Sequence, residues 1–226
     1  MKELMDFLIE LGLNNDKNWF EKNKNRYKAI QAEFGELTGK IIDGISVFDP
    51  SIKGLAPKDC TYRIYRDVRF SKDKSPYKTH IGAYFCPNGK KSGYAGYYFH
   101  IEPINNNYAT GSFLTSGIYM PESVVLKSVR EEILDYGDLL LSAVDSAKGF
   151  RLNQDNKLKK TPVGYPKDST YDELLKLKDF FVEKPIDGDY LLHKDLADHV
   201  IEDFSKTYEL TKILNRAVKY AYEEMM

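Results

Sequence analysis

Through the middle of the chain apolar and polar residues alternate one by one, the period-two pattern of strands that bury a single face. Tyr62, Ile64, Val68 and Phe70 point one way and Arg63, Tyr65, Asp67 and Arg69 the other, with Arg66 interrupting the apolar row. A first strand is expected over residues 62–70. Ser71 to Lys78 then bring turn residues and a proline, after which Ile81, Ala83 and Phe85 alternate against His80, Gly82, Tyr84 and Cys86. Beyond the Pro87 to Gly93 turn, Ala95, Tyr97, Phe99 and Ile101 alternate with Tyr94, Gly96, Tyr98, His100 and Glu102. These are the second and third strands. A fourth is expected near residues 108–114, after the Asn105-Asn106-Asn107 turn, with its register open.

A slip of one residue would turn every apolar side chain to the wrong face, so the registers are constrained. Pairing Phe70 with Thr79 and Phe85 with Ala95 gives both hairpins one apolar face. The same pairings place Arg69, His80 and His100 in one row of the opposite face, with Asp67, Gly82 and Tyr98 in the next. Gly82 and Gly96 lie on that polar face and leave room above it for a ligand or a second backbone.

Helical spacing takes over on either side of the strands. Leu4, Leu8 and Leu11 define a short helix ended by Gly12, and Asn15 or Asp16 caps a longer one carrying Tyr27, Ile30, Phe34, Leu37, Ile41 and Ile45 as far as Asp49-Pro50. Pro121 opens a helix with Val125, Val129 and Ile133 on one face and a break at Tyr136-Gly137-Asp138. Residues 149–168 read as irregular. Thr170 and Glu173 make a capping box before Leu174, Leu177 and Phe181, and Leu196, Val200, Phe204, Tyr208, Leu214 and Val218 trace one long closing helix. The fold expected is α+β: an antiparallel meander of about four strands, with N-terminal and C-terminal helices covering one face. No linker-like stretch divides residues 1–226, which read as a single domain.

Charge sharpens this picture. The net charge is −1, yet residues 58–91 hold nine Lys or Arg against three Asp, so the strand region is the basic part. Nothing global points to nucleic acid or to a membrane. Glu3, Asp6 and Glu10 in the first thirteen residues argue against a secretory core, and no later run has the length of a membrane span. Cys60 and Cys86 are too few for a disulfide scaffold, and the registers set Cys86 beside Arg63, so reduced thiols and a cytoplasmic location are expected.

Several segments together resemble the bacterial and fungal domain-of-unknown-function family 2461. They are Asn15 with Trp19-Phe20, Asn23-Lys24 and Tyr27; the run Arg66-Asp67-Val68-Arg69-Phe70-Ser71-Lys72-Asp73-Lys74-Ser75-Pro76-Tyr77-Lys78; Pro121-Glu122 with Arg130; and Pro162-x-Gly164-Tyr165. The likeness covers most of the chain, departing at Ser169-Thr170 where the family favours His-Pro. It implies a shared fold and brings no activity with it.

Candidate chemistry gathers on the polar sheet face. Arg63, Arg69, Lys74 and Lys78 are the ligand-binding candidates, since guanidinium and ammonium groups make charge-assisted bonds to phosphate and carboxylate. His80, His100 and Asp67 are the candidates for catalysis, the histidines for proton transfer and Asp67 as an orienting carboxylate. His80, His100 and Glu102 also invite a metal reading, which is set aside because no further ligand stands at diagnostic spacing, and no motif calls for a cofactor. The function expected is the binding of a small anionic ligand, with or without catalysis. The alternative is a non-catalytic module that contacts a protein or nucleic acid, its charged motif mainly structural.

Overall fold

Leu4, Leu8 and Leu11 do share a buried helical face, with Met5 and Phe7 added, on α1 (Lys2–Leu13). A computed structural model describes residues 1–104 and 111–224; the Asn105-Asn106-Asn107 turn and the expected strand start at Tyr108 lie outside them. The second helix is divided into α2 (Lys17–Lys22) and α3 (Lys24–Phe48) by the non-helical backbone of Asn23 (φ −102°, ψ 8°). Asp16 caps α2, its carboxylate accepting from the N–H groups of Asn18 (2.8 Å) and Trp19 (3.0 Å). α3 buries Tyr27, Ile30, Phe34, Ile41 and Ile45, as their spacing requires, and a short helix α4 (Pro57–Cys60) follows.

Residues 62–70 do not form a strand. Of the four residues expected on one apolar face, only Ile64 is buried, and Phe70 is 96% exposed. Isolated bridges join Thr61 to Ala83 and Tyr65 to Tyr77, and everything else from Tyr62 to His80 is loop. Polar side chains there bond to nearby backbone: Lys74 Nζ donates to the Val68 carbonyl (3.0 Å) and Arg66 Nη1 to that of Ser75 (3.1 Å). Such local bonds compete with a β ladder and here prevail.

The sheet comprises β1 (Ile81–Phe85), β2 (Gly96–Ile101), β3 (Phe113–Ile118), β4 (Arg151–Leu152) and β5 (Phe180–Pro185) in the order β1-β2-β3-β5-β4, every pair antiparallel. Of the expected four-strand meander, the last three strands are present as β1-β2-β3, the third of these displaced to Phe113–Ile118. Register between β1 and β2 is displaced by two residues, with Phe85 opposite Tyr97 and Gly82 opposite His100. A shift of two preserves the faces. β5 lies where the helical spacing of Leu174, Leu177 and Phe181 predicts a helix; only α6 (Asp172–Leu175) is helical, and Thr170 does not cap it. Phe180 and Val182 are buried on one side of β5 while Phe181 and Glu183 face the other, which is strand behaviour. Residues 149–168 contribute β4 at the sheet edge.

Between the strands runs α5 (Ser123–Ser146), kinked at Tyr136 as the sequence suggests. The one long closing helix expected from Leu196 is two, α8 (Leu196–Ser205) and α9 (Tyr208–Glu223), preceded by a short helix α7 (Gly188–Leu192). Helices of both ends cover the apolar sheet face, giving the α+β architecture. Phe204 packs on Phe85 and Tyr97 (ring centroids 6.3 and 5.4 Å), and the buried Tyr97 hydroxyl reaches Asp49 at the end of α3 (2.9 Å) and Thr211 of α9 (2.8 Å). Its polar atom is therefore satisfied within the core. No helix among the described residues is long and apolar enough to cross a membrane.

Candidate functional site

The charged loop is largely bonded to itself. Arg66 pairs with Asp73, a loop neighbour, and its Nη2 lies 3.4 Å from Ser71 Oγ. Asp73 accepts from the backbone N–H (2.9 Å) and hydroxyl (2.7 Å) of Ser75. Hydrogen bonds from Ser75, then from Arg66, hold the Asp73 carboxyl far below the usual carboxylate range. Arg69 forks onto Asp67 (Nε–Oδ1 2.9 Å, Nη2–Oδ2 2.6 Å), which lowers the Asp67 pKa. Asp67, Arg69 and Lys74 are thus engaged within the loop, and no strand carries Arg69 into the histidine row.

His80 and His100 do meet. His80 immediately precedes β1 and His100 lies on β2, their ring centroids 4.7 Å apart. His100 is buried, stacks on Phe113 of β3 (4.4 Å, 10°), and has Nδ1 2.9 Å from the Tyr98 hydroxyl and Nε2 3.2 Å from Glu102 Oε2. Burial, aided by the neighbouring His100, pushes the His80 pKa down to about 4; burial also lowers that of His100, against the opposing pull of Glu102. Both rings are neutral near pH 7.

Beside the histidines a groove of about 690 Å³ opens over the polar sheet face. Its floor follows one cross-strand row, Tyr84 of β1, Tyr98 of β2, Thr115 of β3 and Glu183 of β5. At the β1 side Tyr62 carries the ammonium groups of Lys78 and Lys90 at 5.7 and 5.9 Å from its ring centroid. Burial lowers the Lys78 pKa, and the charge of Arg63 lowers it further. Lys90 donates to the Lys58 carbonyl (2.6 Å), and neither lysine forms a salt bridge among the described residues.

Of the sequence candidates, Lys78 lines the groove and His80 and His100 adjoin it, with Arg63 close to Lys78. The expected space above Gly82 and Gly96 is taken by the protein. A Cβ on Gly82 would lie 2.6 Å from the Tyr98 hydroxyl, and one on Gly96 would lie 2.2 Å from the Phe85 carbonyl oxygen. Sequence reasoning missed Lys90, Thr115 and Glu183. The last two come into view only once residues 180–185 are read as a strand. Cys60 and Cys86 are both free and buried, and burial pushes the Cys60 thiol up to about 12.

The architecture is that of an α+β protein whose helices seal one sheet face and whose other face bears an aromatic groove beside a histidine pair. The model of a family described as conserved hypothetical protein (DUF2461) matches residues 3–212, and the chain belongs to that family. No curated protein and no solved structure matches the chain.

Proposed function

We propose that the protein binds a small anionic molecule, a phosphate or carboxylate with a planar body, in the groove over its polar sheet face. The observation that carries this is the pair of ammonium groups, Lys78 and Lys90, held around Tyr62 at the groove with no carboxylate among the described residues bonded to either. Two such cations attract phosphate or carboxylate oxygens, and the rings of Tyr84, Tyr94 and Tyr98 suit a flat body between them. The volume falls within the range of roughly 300–1,000 Å³ common for small-ligand sites. Glu183 stands three strands from β1, roughly 14 Å at usual strand spacing, so the anionic end belongs at the lysines. Arg63 joins Lys78 and Lys90 as a contact, whereas Arg69, Lys74 and Asp67 hold the loop. His80 and His100 remain the proton-transfer candidates if the bound molecule is turned over. The free thiols of Cys60 and Cys86 support a cytoplasmic location.

Thermal-shift screening of aromatic phosphates and carboxylates, followed by calorimetric titration, tests the reading. A member of the panel should raise Tm, and the K78A/K90A double variant should bind it at least ~10-fold more weakly, a loss of about 1.4 kcal/mol, while folding normally. A panel without a binder, or equal binding by the double variant, would overturn it. The interaction-module reading draws on Phe70, 96% exposed on the charged loop. Nucleic-acid binding that falls steeply with salt and ignores both lysine substitutions would favour that alternative.

A further inference from the structure

His80, His100 and Glu102 each present one ligand atom, and these three atoms lie within 4.8 Å of one another. Imidazole nitrogens and carboxylate oxygens bind zinc-class ions at about 2.0–2.2 Å, so two donors on one ion stand roughly 3.5 Å apart in a tetrahedral arrangement. Closing the cluster takes about an ångström of side-chain movement. Glu102 stands just past the end of β2 with its side chain 39% exposed, at the open side of the cluster.

The surroundings of His100 are those of a held ligand. Phe113 fixes the plane of the ring and the Tyr98 hydroxyl sits 2.9 Å from Nδ1, which leaves Nε2 aimed toward Glu102. A metal-bound imidazole is commonly oriented through its other nitrogen in this way. His80 gives its ring nitrogens to no hydrogen bond among the described residues, so its place beside His100 serves no bond that holds the fold. The charges of Lys78 and Arg66, which also reach His80, oppose a bound cation and temper its affinity.

We propose that His80, His100 and Glu102 form a mononuclear site for a divalent transition-metal ion, with Tyr98 as a positioning residue for His100. Two nitrogen donors and one carboxylate suit Zn²⁺, Co²⁺, Mn²⁺ or Fe²⁺, whereas Ca²⁺ and Mg²⁺ prefer all-oxygen sets and Cu⁺ prefers sulfur. Three protein ligands leave a position for water or an anion, and Lys78 connects this corner to the groove.

The test uses the tag-free full chain, stripped with a chelator and titrated with Co²⁺ and then Zn²⁺. Expected are stoichiometric uptake, visible Co²⁺ absorption bands displaced by Zn²⁺, loss of both in H80N, and 10- to 100-fold weaker binding in Y98F and E102Q. H80N is the decisive variant, because His80 is only half buried and its replacement spares the core, whereas loss of the buried His100 can unfold the chain. Absence of stoichiometric uptake would overturn the proposal. So would uptake that persists in H80N, including uptake lost instead when His193 and His199, whose rings lie 4.1 Å apart elsewhere on the molecule, are replaced by alanine. Titrating the same variants with the anion panel keeps this outcome separate from that of the groove.

Discussion

Asn15 pairs with the peptide unit of Tyr77 much as a neighbouring strand would. Its Nδ2 donates to the Tyr77 carbonyl (2.9 Å) and its Oδ1 accepts from the Tyr77 N–H (3.1 Å), while Phe20 stacks on the Tyr77 ring at 4.0 Å. The front of the chain and the end of the charged loop, sixty-two residues apart, are joined there. Asn15→Ala removes both bonds and is expected to cost about 1–3 kcal/mol, read from the urea midpoint. An unchanged midpoint would mean that the pair contributes nothing.

Gly117 is held at φ +135°, and a Cβ on it would lie 2.1 Å from the Phe180 carbonyl oxygen and 2.6 Å from the Phe181 Cα. Both obstacles are backbone of β5. Gly117→Ala therefore strains the β3–β5 pairing and should lower stability by more than about 2 kcal/mol, seen as a large fall in Tm. Gly35→Ala, which meets nothing within 4 Å on α3, serves as the benign comparison.

Asp203, buried on α8, is bonded by Lys184 (2.6 Å), Lys206 (3.0 Å) and the Tyr190 hydroxyl (2.9 Å). Burial pushes its pKa up, but these bonds outweigh it and the net shift is downward. A carboxyl depressed on folding stabilises above its unfolded pKa of about 4, and that contribution is lost as pH falls through the lower folded value. Urea midpoints should thus fall as pH drops below about 4 more steeply in the wild type than in D203N. At pH 7 the substitution should cost about 2–3 kcal/mol.

Arg66→Ala and Asp73→Ala both break the loop from within. Deuterium exchange over residues 66–78, the Ser75 amide above all, should quicken in each variant while the strands keep their protection. Uniformly faster exchange throughout the chain would assign the pair to global stability instead.

Much of this was legible in the sequence, for identifiable reasons. Ile81, Ala83, Phe85, Tyr97, Phe99 and Ile101 alternate, and all are buried on the helix-covered face. The faces of β1 and β2 survive a register error because the error is two residues, set by how much chain the Pro87 to Gly93 turn absorbs. Residues 62–70 alternate equally well but bury only Ile64, since alternation cannot reveal that Arg66 and Lys74 will bond to backbone within their own loop. β5 was hidden by a coincidence of spacing among Leu174, Leu177 and Phe181, and with it went Glu183 and the far end of the groove. The histidine pair was readable because both residues lie on the polar side of the hairpin, whereas Lys90 offered no sign beyond its charge.

The flank of β1 turned away from β2 would be an open ribbon of amides and carbonyls, but Thr61 bridges Ala83 there and the Tyr62 N–H donates to the Gly82 carbonyl (3.2 Å). At the opposite margin β4 is only two residues long. Neither margin therefore offers a second molecule a long template for growth, Thr61 and Tyr62 occupying the one and the brevity of β4 limiting the other.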